Sequence, residues 1–100
     1  MIKSGSRLES QVCDTQVIVI RATDALAGLR CGGVPMVALG DEKAPGTMLD
    51  PEFSGGTALG KRYVHESGAE ILVTRGGTGT LAVDGVPLAF KDAKPLPASD

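Results

Sequence analysis

Two runs of six residues, Gln16 to Arg21 and Glu70 to Arg75, constrain this chain more than any other feature. Gln16-Val17-Ile18-Val19-Ile20-Arg21 sets four β-branched side chains in a row. Such side chains fit a pleated strand and crowd a helix. Glu70-Ile71-Leu72-Val73-Thr74-Arg75 repeats the plan 54 positions later. A second match follows 52 positions apart, between Leu29-Arg30-Cys31-Gly32-Gly33-Val34-Pro35-Met36 and Leu81-Ala82-Val83-Asp84-Gly85-Val86-Pro87-Leu88. The longer intervening loop of the first copy absorbs the difference. Gly32-Gly33 and Asp84-Gly85 are two-residue hairpin turns, because both positions must tolerate positive φ. The chain therefore reads as an internal repeat. It predicts a mostly β protein of two related hairpin or ribbon units, pseudo-two-fold, with little helix. The units span 1–40 and 61–100, the second including an extended tail, and a connector covers 41–60. Together they form one compact domain.

The core of such a domain is thin. Only Phe53, Tyr63 and Phe90 are aromatic among 100 residues. Val, Leu, Ala and Ile bury less area each than an aromatic ring. A domain of this size with so little aromatic mass is marginal alone, and a partner, an oligomer or a metal would support it. The formal net charge of −2 and the absence of Trp argue against a basic or base-stacking nucleic-acid surface. No apolar run approaches the ~20 residues that span a bilayer. The start, Met1 to Arg7, has a basic pair without an apolar stretch behind it, so the expected location is cytoplasmic.

The connector is rich in Gly, Pro, Asp and Glu. Its length predicts a segment packed across the sheets rather than one floating free. Asp50 is a candidate cap for one helical turn at Pro51-Glu52-Phe53. Ala22 to Leu29 could hold another short turn, although Gly28 favours a loop. Gly76-Gly77-Thr78-Gly79-Thr80 lacks the Lys-Ser/Thr pair and following helix of a phosphate loop, so it reads as a hairpin loop. Asp41-Glu42 and Asp50-Pro51-Glu52 read as solvated connector rather than metal ligands.

The chemistry-bearing residues are few. Cys13 precedes the first strand, and Cys31 precedes the Gly-Gly turn after the next. In a hairpin both fall at the same end. Two thiolates there are half of a tetrahedral metal set. His65 stands in about the place of Cys13, and Val83-Asp84 in that of Cys31-Gly32. Cys13, Cys31 and His65 are thus candidate metal ligands. Zinc suits this donor set better than iron, which wants four sulfurs in a redox site. The plainer alternative is two reduced cysteines packed as small hydrophobes, with no cofactor. A disulfide between them is a third state, disfavoured in a reducing compartment. His65, in a polar patch, reads as a surface residue as readily as a functional one. Nothing in the sequence draws it to either thiol, so no Cys–His catalytic pair is expected and no catalytic residue is assigned.

Tyr63-Val64-His65-Glu66-Ser67-Gly68, the strand Glu70 to Thr74, and Thr80 to Leu88 resemble desulforedoxin and the N-terminal domain of desulfoferrodoxin. That family shows a Tyr-x-Cys-x-x-Cys-Gly knuckle, a strand, a Gly-rich turn and a Cys-Cys-Gly-x-x-Met ending. The first repeat matches at Cys13, Cys31-Gly32-Gly33 and Met36. The resemblance implies that Cys13 corresponds to the first knuckle ligand and Cys31 to one of the Cys-Cys pair. The second knuckle ligand falls near Gln16, and His65 replaces the first in the second repeat. The chain thus resembles a tandem, degenerate rubredoxin-like or zinc-ribbon-like protein of bacterial type with most ligands gone.

Pro35 and Pro87 remove ladder donors and mark sheet edges. With Met36, Phe53, Tyr63, Leu88 and Phe90 they are candidate partner-binding residues. The favoured function is a non-catalytic accessory or small subunit that binds and stabilises a larger cytoplasmic enzyme, or assembles as a homo-oligomer. The alternative is a small zinc- or iron-binding protein using Cys13 and Cys31.

Overall fold

The computed structural model describes residues 2–90. Among these residues ten strands form two antiparallel sheets. The strands are β1 (Arg7–Glu9), β2 (Gln16–Arg21), β3 (Leu29–Cys31), β4 (Val34–Pro35), β5 (Val37–Ala38), β6 (Arg62–Val64), β7 (Glu70–Arg75), β8 (Leu81–Val83), β9 (Val86–Pro87) and β10 (Ala89–Phe90). The larger sheet has the order β10-β6-β7-β2-β1-β5, and the smaller has β4-β3-β8-β9. There is no α-helix among the described residues, only 3-10 turns at Asp24–Gly28 and Pro51–Phe53. The first shows that Ala22 to Leu29 does hold a helical turn, which ends at Gly28. The expected tail lies at 91–100, outside the described residues.

Both six-residue runs form the long central strands, and they pair with each other. Val17 faces Val73, Ile18 faces Leu72 and Val19 faces Ile71. The 54-residue repeat maps the first of these pairs onto the third and the middle pair onto itself. A pseudo-dyad therefore passes through the Ile18–Leu72 pair. In the smaller sheet, Leu29 faces Val83, Arg30 faces Ala82 and Cys31 faces Leu81. The 52-residue repeat exchanges the outer pairs there and leaves Arg30–Ala82 on the axis. The flanking ladders repeat as well: Leu8–Ala38 corresponds to Tyr63–Phe90, and Cys31–Val34 to Val83–Val86. The repeat in the sequence is thus a two-fold in the fold.

Alternation on β2 and β7 sends Val17, Val19, Ile71 and Val73 inward. They meet Leu29, Cys31, Leu81 and Val83 of the smaller sheet in a single core, closed by Leu8, Leu26, Tyr63 and Ala69. At roughly 1.5–3 kcal/mol for each fully buried aliphatic side chain, this core is the main stabilising term. The turns also match. Gly32 and Gly33 have φ of 67° and 83°, and Asp84 and Gly85 have 51° and 82°. Both pairs therefore occupy the left-handed positions of a type I′ turn.

The connector packs along the molecule as expected. Asp50 N–H donates to Gly32 O, Thr57 N–H to Gly77 O and Gly60 N–H to Val73 O. Asp50 caps its turn by accepting from Glu52 N–H at 2.9 Å. This anchoring lays the connector over the loops that surround Cys31.

Candidate functional site

Cys13 and Cys31 come together, with Sγ atoms 3.8 Å apart. They are not at one end of a hairpin, as the sequence suggested. β2 and β3 lie in different sheets, and the 10–15 loop carries Cys13 across to the end of β3. Cys31 is fully buried, and Cys13 is partly exposed.

The loop is held by its own residues. Ser10 N–H donates to Thr15 O at 2.9 Å, closing the turn. Ser10 Oγ accepts from the N–H groups of Val12 and Cys13 at 3.1 and 3.2 Å. Thr15 Oγ1 lies 3.2 Å from Cys13 Sγ and 2.8 Å from Thr57 Oγ1. Thr57 Oγ1 in turn accepts from Gly77 N–H at 3.0 Å. Gly79 N–H donates to Cys13 Sγ at 3.3 Å. The Gly-rich segment rejected above as a phosphate loop therefore serves the thiol. Gly77 and Gly79 lack side chains for a steric reason. A Cβ at Gly79 would lie 2.9 Å from Cys31 Sγ and 3.1 Å from Cys13 Sγ, and one at Gly77 would lie 2.6 Å from Thr15 N.

This setting splits the two thiols. Burial pushes Cys13 up, but hydrogen bonds from Ser10, Thr15 and the Gly79 backbone outweigh it and bring the pKa down to about 7. For Cys31, deeper burial and the neighbouring Cys13 charge push the pKa up to about 12. At neutral pH the partly exposed Cys13 is therefore about half thiolate, beside a buried Cys31 that stays protonated.

His65 is not part of this cluster. β2 and β7 run antiparallel, with Gln16 beside Arg75 and Arg21 beside Glu70. The 10–15 loop therefore opens at one end of the central ladder and the 65–69 loop at the other. His65 N–H donates to Ala69 O as Ser10 N–H donates to Thr15 O, and His65 Nδ1 accepts from Ser67 N–H as Ser10 Oγ does from its loop. His65 is thus the counterpart of Ser10, three residues ahead of the position expected for it. At this second corner His65 and Val83-Asp84 line one shallow pocket. The sequence-predicted set Cys13, Cys31 and His65 is split between the corners. Among the described residues, no group of three or more His, Cys, Asp or Glu is placed to hold a metal ion.

The predicted partner-binding residues also divide. Pro35 and Phe90 are exposed, while Met36, Phe53 and Leu88 are partly buried. Pro35 and Pro87 do lie on the edge strands β4 and β9. Tyr63 departs from the expectation. It is the counterpart of Leu8 on the inward face, is buried, and accepts a hydrogen bond from Ala58 N–H at 3.0 Å. Its ring also packs against Phe90 at a centroid distance of 4.9 Å.

Ser10, Thr15, Thr57 and Gly79 were missed in the sequence. Ser10 stood three residues before Cys13, the spacing of a Cys-x-x-Cys knuckle, and that spacing was the available signal. Thr57 and Gly79 reach the site only through long-range packing. Comparisons with protein-family models, with curated proteins and with solved structures return no match.

Proposed function

We propose that this chain is a non-catalytic accessory subunit that binds and stabilises a larger cytoplasmic enzyme. One observation carries the reading: the edge segment from Val86 to Phe90 presents Val86 at 63% and Phe90 at 52% exposure. Val86 precedes Pro87 and Phe90 ends the segment, and apolar side chains exposed on an edge are the kind of surface a partner covers. Pro35 and Pro87 remove ladder donors from both edges of the smaller sheet, so contact along those edges is through side chains rather than sheet extension. On the dyad-related side, Ile2, Leu8, Met36 and Val37 line an apolar groove.

The finer family reading rests on spacing. With Ser10 paired to His65 by the loop hydrogen bonds, the desulforedoxin-like mapping shifts from Cys13 and Gln16 at the knuckle positions to Ser10 and Cys13, followed by Arg30 and Cys31, and the second copy offers His65, Gly68, Ala82 and Val83. Such a chain keeps the scaffold and lets packing replace the metal. The test is recovery of the tagged chain from its own source, with a photo-crosslinker at the exposed neighbouring position Ala89. A larger protein crosslinked in a fixed ratio, and lost in Val86→Ser/Phe90→Ser, is expected. A folded chain that stays monomeric and crosslinks to nothing would refute the proposal.

A further inference from the structure

We propose that Cys13 and Cys31 form a thiol–disulfide exchange site for small-molecule disulfides, with Cys13 as the entry thiol and Cys31 as the resolving thiol. Three observations converge on this. The sulfurs are 3.8 Å apart, so closure to the roughly 2.05 Å of a disulfide needs a shift of under 2 Å. Gly79 leaves the volume beside both sulfurs without a side chain. The two thiols differ in access, Cys13 being partly exposed and Cys31 buried.

The hydrogen bonds assign the order of attack. Gly79 N–H and the Thr15 hydroxyl lie against Cys13 Sγ at 3.3 and 3.2 Å, and both favour its thiolate. Cys13 thiolate attacks one sulfur of R–S–S–R. A mixed disulfide forms and one RS⁻ leaves. Cys31 then gives its proton to the departing thiolate, and its sulfur attacks Cys13 Sγ. The Cys13–Cys31 bond forms and the second RS⁻ leaves, taking up a proton from solvent. Two protein thiols are oxidised and one external disulfide is reduced to two thiols. Reversal by excess RSH restores the dithiol.

The proposal does not depend on the accessory reading, because the sulfurs lie apart from Val86 and Phe90. The experiment treats the reduced full chain with oxidised glutathione, in chelator, and follows free thiols and intact mass. Wild type is expected to lose both thiols, with no glutathione retained and two hydrogens lost. Cys31→Ser should stop as a stable mixed disulfide on Cys13. Cys13→Ser should react at least tenfold more slowly. Wild type that accumulates mixed disulfide without closing, or that reacts first at Cys31, would overturn the proposal. Because the wild-type arm needs no substitution, it stands even where a variant fails to fold.

Discussion

Gly79→Ala tests the packing logic of the thiol corner most directly. Gly79 does not sit at positive φ, so the added methyl imposes no backbone strain of its own. It meets atoms instead: Cys31 Sγ and Gly32 N at 2.9 Å, and Cys13 Sγ at 3.1 Å. Favourable carbon contacts lie near 3.5–4.0 Å, so the overlap is roughly 0.5–1 Å on three sides at once. Gly32 N cannot retreat freely, because it donates to Thr80 O at 3.0 Å. Cys31 cannot either, because its side chain is enclosed by the core. Overpacking of this kind costs about 1–3 kcal/mol. For a domain of this size, about 2 kcal/mol lowers Tm by roughly 8–16 °C. The assay is urea and thermal unfolding of the reduced protein, in wild-type and Cys31→Ala backgrounds. The cost should fall in the second background, where one of the three clashes is gone. A loss below about 0.5 kcal/mol, typical of an unconstrained surface site, would refute the reasoning. So would the same loss in both backgrounds.

Further expectations concern the same corner and its counterpart. Ser10→Ala leaves the N–H groups of Val12 and Cys13 without their acceptor and should cost about 1–3 kcal/mol in urea unfolding, with faster amide exchange at both positions. The thiols set a pH profile. Cys13, lowered from 9.0 to about 7, adds stability that is full above pH 9 and is lost as pH falls through 7. Cys31, raised from 9.0 to about 12, adds stability that is full below pH 9 and is lost as pH rises toward 12. Reduced wild type should therefore gain stability over Cys13→Ser between pH 7 and 9, and Cys31→Ser should lack the decline above pH 9, both read as Tm against pH. Finally, the two type I′ turns should respond unequally to asparagine. Asp84→Asn should be neutral within about 0.5 kcal/mol. Gly32→Asn should cost about 1–3 kcal/mol, because a Cβ there meets Leu49 Cδ1 at 2.5 Å and Val12 Cγ2 at 2.7 Å. Equal Tm values for the two variants would contradict this asymmetry.

The strands and turns were legible because their signals are local. Four β-branched residues at Val17 to Ile20, and Gly-Gly and Asp-Gly at matching places, carry their own conformational reasons. The two-fold was legible because a repeat offset becomes a dyad once the copies pair antiparallel. The corner was harder. Nothing within ten residues of Cys13 announces Gly79 or Thr57, whose contacts are fixed only when the sheets close over one core. The displacement of His65 had a related cause. The 10–15 and 65–69 loops differ by one residue, so sequence offsets taken from the strands slide within the loops. The hydrogen bond that closes each turn fixes the correspondence. Tyr63 was misread because an aromatic near an edge looks like contact surface, whereas strand alternation places it on the inward face with Leu8.

The β2·β7 and β3·β8 ladders have one more consequence. Each joins the first half of the chain to the second, and each maps onto itself under the dyad. That is the signature of an isologous interface, in which residue i meets j and j meets i. Here it lies inside one polypeptide. The connector holds the halves at a high effective concentration, so their association does not depend on dilution as that of two separate chains would. Once joined, the halves no longer need to be the same. One corner holds two thiols, while the other has Val83 in place of Cys31 and a half-buried His65 bonded to its own loop. Covalent linkage makes this interface permanent and lets its two corners differ.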